Sequence, residues 1–61
     1  MKNEILKRIL NTYQLSPTLK HYIHLVLSRP VQIDNINFRH ILIDVSRETG
    51  AEIAELYSED I

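Results

Sequence analysis

His21 and His24 stand three residues apart, a spacing that puts two imidazoles on one face of a helix within reach of a shared metal ion. His40 is the one remaining histidine that folding can bring to them. Lys20 lies beside the pair and repels a cation, and the chain has no cysteine to add a soft ligand. A solvated polar face accounts for these side chains, and neither a metal nor another cofactor is expected.

The hydroxyl side chains Ser16, Thr18, Ser28, Ser46, Thr49 and Ser58 fall at inferred helix boundaries or on polar surfaces, where capping or hydration explains them. Gly50 is the only glycine, so the chain cannot build a phosphate-cradling loop, and no nucleophile elbow or metalloprotease helix is present. A core this small rarely encloses a desolvated pocket. The sequence therefore reads as non-enzymatic, with no small-molecule substrate.

The elements that must position these residues belong to one short domain. Sixty-one residues bury only about 60% of the surface the unfolded chain exposes, so stability is marginal without disulfides or metal. The absence of cysteine and the alternation of charged and apolar residues in "MKNEILKRILN" point to a cytoplasmic protein rather than a secreted one. Lys20, His21 and His24 interrupt the most apolar region, which leaves no membrane-spanning stretch.

Periodicity predicts an all-α bundle of about four short helices. Ile5, Leu6, Ile9, Leu10 and Tyr13 share one side of a first helix, opposite Glu4, Lys7, Arg8 and Asn11. Ser16 before Pro17 reads as the N-cap and first turn of a second helix. That helix has an apolar arc of Leu19, Tyr22, Ile23, Val26 and Leu27, with Lys20, His21, His24 and Ser28 opposite, and "SRP" at 28–30 ends it.

Two readings compete for the next segment. "PVQIDNINF" and "ILIDV" alternate in the manner of strands, which would give an α+β fold with a hairpin within residues 31–45. Phe38, Ile41, Leu42 and Val45 instead favour a third helix from about Asn35 to Glu48, with Arg39, His40, Asp44, Arg47 and Glu48 pointing away from the core. Gly50 would end that helix in the left-handed region. Thr49 and Glu52 have the spacing of a capping box for a fourth, running to about Ser58 with Ile53, Ala54, Leu56 and Tyr57 as its apolar side.

"ILNTYQLSPTLKHYI", Ile9 to Ile23, resembles the helix-turn-helix of bacterial regulators: an apolar first helix, an aromatic near its end, a leucine-serine turn and a threonine-led second helix. Leu19 follows Leu15 by four residues where the family leaves five, and Gln14 stands where glycine is usual. The resemblance implies a DNA-binding regulator whose 9–28 segment faces phosphates and base edges through Ser16, Thr18, Lys20, His21 and His24, with Arg29 adding charge. "ILIDVSRETGAEI" also looks like part of a KH RNA-binding module, but Ile36, Asn37, Phe38 and Arg39 stand where its glycine-flanked loop would be.

Charge is segregated along the chain. Residues 1–40 carry Lys2, Lys7, Arg8, Lys20, Arg29 and Arg39 against Glu4 and Asp34; residues 41–61 carry Asp44, Glu48, Glu52, Glu55, Glu59 and Asp60 against Arg47 alone. Glu52, Glu55 and Glu59 form an acidic ridge that repels DNA and suits a protein partner with a basic surface, with Tyr57 or Ile61 as an anchor if exposed. The leading reading is therefore a small regulatory protein acting through protein contacts; the helix-turn-helix DNA binder is the alternative. Dimerisation fits either, since 44% of the residues are hydrophobic, and Ile43, outside the core arc, is the candidate contact.

Overall fold

Ser16 and Pro17, Asp34 and Gly50 punctuate the chain into an all-α fold. The computed structural model describes residues 1–53 and gives three helices among them: α1 (Lys2–Thr12), α2 (Pro17–Ser28) and α3 (Asn35–Thr49). The hairpin alternative for residues 31–45 is overturned, because α3 occupies most of that span and the described residues contain no strand. Four apolar side chains buried along one face, Phe38, Ile41, Leu42 and Val45, outweigh the alternation. The inferred fourth helix lies largely outside the described residues.

Each boundary has a physical cause. The Ser16 hydroxyl accepts from the Leu19 amide at 3.3 Å, and Pro17 fills the first turn of α2. At α3, the Asp34 carboxylate accepts from the Asn37 amide at 2.7 Å and from the Asn37 side-chain nitrogen at 2.9 Å. These two bonds, the backbone one foremost, hold the Asp34 carboxyl below its ordinary value near 3.8. Gly50 closes α3 at φ 77°, its amide donating to the Ser46 carbonyl at 2.8 Å.

The Thr49–Glu52 capping box does not form as expected, because Thr49 is the last residue of α3. Its hydroxyl donates to the Val45 carbonyl and accepts from the Ala51 amide. Ser46 takes the amide two residues further on, accepting from Ile53 at 3.1 Å while donating to the Leu42 carbonyl. The turn after Gly50 is thus hydrogen-bonded back onto α3.

One core joins the three helices. α1 contributes Ile5, Leu6 and Ile9; α2 contributes Leu19, Ile23 and Val26; α3 contributes Phe38, Ile41, Leu42 and Val45. Leu15 from the α1–α2 corner and Ile53 complete it, while Ile33 in the α2–α3 connection packs against its edge. The Lys2 ammonium donates to the Ile33 carbonyl at 3.4 Å, tying the start of α1 to that connection.

Candidate interaction surface

The corner that resembles a helix-turn-helix is held by a residue the periodicity sets aside. Glu48, on the side of α3 away from the core, takes both donors of Ser16: Oε1 accepts from the amide at 2.7 Å and Oε2 from the hydroxyl at 2.8 Å. In a local capping box the glutamate sits at the third residue of the same helix and reaches back to the N-cap amide. Here that position is Leu19, committed to the core, and the carboxylate comes from the end of α3. Glu48 therefore completes the cap of α2 from 32 residues away and fixes the corner against α3.

This contact makes α2 and α3 antiparallel neighbours, with the start of one beside the end of the other. Among the described residues, three connected depressions run along this side of the molecule, two between α2 and α3 or their connection and one on the exposed face of α3. The largest, about 520 Å³, is lined by Ser16, Thr18, Leu19, Tyr22, Asp44, Arg47 and Glu48. Tyr22 also lines a second, of about 180 Å³, which extends past Val26 and Arg29 to Val31, Asp34 and Asn37. Asp44 and Arg47 also line a third, shared with His40 and Ile43.

Apolar side chains crowd this part of the molecule. Among the described residues, the exposed large hydrophobics other than Met1 all lie on α2, α3 or their connection: Val31 and Ile36 at 70% exposure, Leu25 at 46%, Tyr22 at 40% and Ile43 at 36%. Tyr22 thus departs from its expected place in the core arc. At 100° per residue it falls beside Thr18 and Leu25, on the flank of α2 away from Leu27. Ile43 lies outside the core, as the periodicity of α3 requires.

The residues proposed to face DNA are split by this geometry. Ser16 and Thr18 line the largest depression beside Asp44 and Glu48, and both donors of Ser16 are engaged by a carboxylate. Arg29 lies at the other end of the surface. Lys20, His21 and His24 are exposed on the opposite flank of α2, with Ser28, whose hydroxyl donates to the Leu25 carbonyl at 2.8 Å. Of the acidic ridge, Glu52 is exposed; Glu55 and Glu59, with Tyr57 and Ile61, lie outside the described residues.

Sequence reasoning placed Asp44, Arg47 and Glu48 on a solvated face and missed that they border a shared cleft. One signal was available for Glu48: Ser16 opens a helix whose third residue is leucine, so its amide needs an acceptor from elsewhere. Among the described residues, no group of three histidine, cysteine or acidic side chains is placed to hold a metal, and no helix is long and apolar enough to cross a membrane. No family model matches the chain, and neither a curated protein nor a solved structure matches it.

Proposed function

We propose that the chain is a small non-enzymatic binding or regulatory protein of the cytoplasm, acting through protein–protein contacts. The observation that carries this reading is the α2–α3 surface, where Tyr22, Val31 and Ile43 are exposed among depressions bordered by Arg29, Asp44 and Arg47. Apolar anchors within a charged border are the usual composition of a protein interface. Glu52, Glu55 and Glu59 are the proposed docking ridge for a partner with a basic surface.

Immobilised protein, exposed to extract of its source cells and compared with variants, tests the proposal. Ile43→Glu, or joint reversal of Glu52, Glu55 and Glu59 to lysine, is expected to abolish partner capture while helical circular dichroism is retained. Capture undiminished by either change overturns the reading.

DNA binding is the second reading, favoured by the exposed row of Lys20, His21 and His24 on one flank of α2. Against it stands the Glu48 carboxylate at the start of α2, where a phosphate would otherwise find free amides. Anisotropy of a labelled mixed-sequence duplex at about 50 and about 200 mM salt separates the two, since phosphate contacts make binding strongly salt-dependent. On the protein-contact reading no binding is expected; salt-sensitive binding that Lys20→Ala weakens would establish the alternative.

A further inference from the structure

We infer that the α2–α3 surface is closed by a second copy of the chain, in a two-fold dimer where Asp44 of each copy faces Arg47 of the other. The inference rests on the protein-contact reading and names the partner at this surface. A two-fold interface uses the same patch twice, so the patch must carry both halves of every complementary pair. The α2–α3 surface meets that condition.

Asp44 and Arg47 both border two of the depressions, so opposite charges stand side by side along the middle of the surface. Among the described residues, neither takes part in an ion pair within one copy. They are three residues apart on α3, one turn or slightly less, so an antiparallel approach of two α3 helices sets each carboxylate opposite the other copy's guanidinium. Tyr22 lines the first of these depressions and Ile43 the other, and they become the apolar contacts beside the axis. A uniformly basic partner would be repelled by Arg47, and a nucleic acid by Asp44 and Glu48; a second copy brings both signs in matching order.

Spacing along α3 supports the same geometry. Ile36, His40, Ile43 and Arg47 recur at intervals of four, three and four, the pattern by which one helix presents a straight seam to another. Ile36 and Ile43 are its apolar members and both are exposed in the single chain.

The test is a charge exchange, read by sedimentation or light scattering from about 5 to about 500 μM protein, a range in which modest interfaces dissociate. The full chain should be dimeric at the upper end. Asp44→Arg places two arginines on each surface and Arg47→Asp places two aspartates, so each variant alone should dimerise at least about tenfold more weakly. Mixed in equal amounts, the two should restore the dimer as a heterodimer, because every pair across the axis is again opposite in sign. Circular dichroism on each variant excludes unfolding, and both changed residues are exposed.

A monomeric wild type at about 500 μM overturns the inference, as does a dimer indifferent to both substitutions or a mixture that stays monomeric. Partner capture by a monomeric wild type, lost on reversing Glu52, Glu55 and Glu59, would leave the protein-contact function standing without the dimer. A wild type that neither captures a partner nor dimerises would remove both.

Discussion

Ser16 shows how much one side chain can do in a chain this short. Its hydroxyl accepts from Leu19 and donates to Glu48, and its amide donates to the same carboxylate. Ser16→Ala removes the cap and one of the two bonds to Glu48, and is expected to cost about 1–2 kcal/mol in chemical denaturation. In a double-mutant cycle with Glu48→Ala the two losses should not add, since each change removes bonds the other needs. Gly50 gives a different case: a Cβ there would meet nothing within 4 Å, yet φ is +77°. Gly50→Ala should therefore destabilise by about 1–2 kcal/mol through backbone strain alone, and Gly50→Asn by less.

At the scale of elements, the start of α3 is sensitive to acid. The folded pKa of Asp34 is depressed, so its contribution is present above the unfolded value and is lost as pH falls through the folded one. Thermal melts of the wild type should decline below about pH 4. Asp34→Asn keeps a capping oxygen but cannot titrate, and its melts should be flatter over that interval.

The helices were legible where local chemistry decides them. Ser16 with Pro17 marked the start of α2, the "SRP" turn its end, and Gly50 the end of α3, because caps and proline act within a turn of themselves. The α3 segment was ambiguous because Ile41, Ile43 and Val45 are β-branched and recur at every second residue as in a strand; Phe38, Ile41, Leu42 and Val45 decided it by burying on one helical face. The interaction surface was much less legible. Tyr22 looked like core because the sequence does not say how far round α2 its neighbours reach, and Glu48 looked solvated because its partner is distant in sequence.

For the whole molecule the margin is narrow. A domain of 61 residues has an expected stability of about 3–9 kcal/mol at 0.05–0.15 kcal/mol per residue. Phe38 is fully buried and is among the largest side chains of the core. Phe38→Ala should cost about 3–5 kcal/mol and leave the chain largely unfolded at about 37 °C, read as loss of a cooperative thermal transition. Ile43→Glu, at an exposed position, should leave the melting temperature of a dilute sample nearly unchanged.

The carboxylate that reaches from the end of α3 to the start of α2 also has a consequence for the order of folding. A local cap forms as soon as its own turn does, whereas this one waits until a loop of about thirty residues has closed, which delays its formation relative to contacts within each helix. Interactions made after the rate-limiting step leave refolding unchanged and show themselves in how fast the native state is lost. Stopped-flow measurements should find that Glu48→Ala speeds unfolding while hardly slowing refolding. In that case Glu48 acts as a latch, setting the lifetime of the fold once it has been reached.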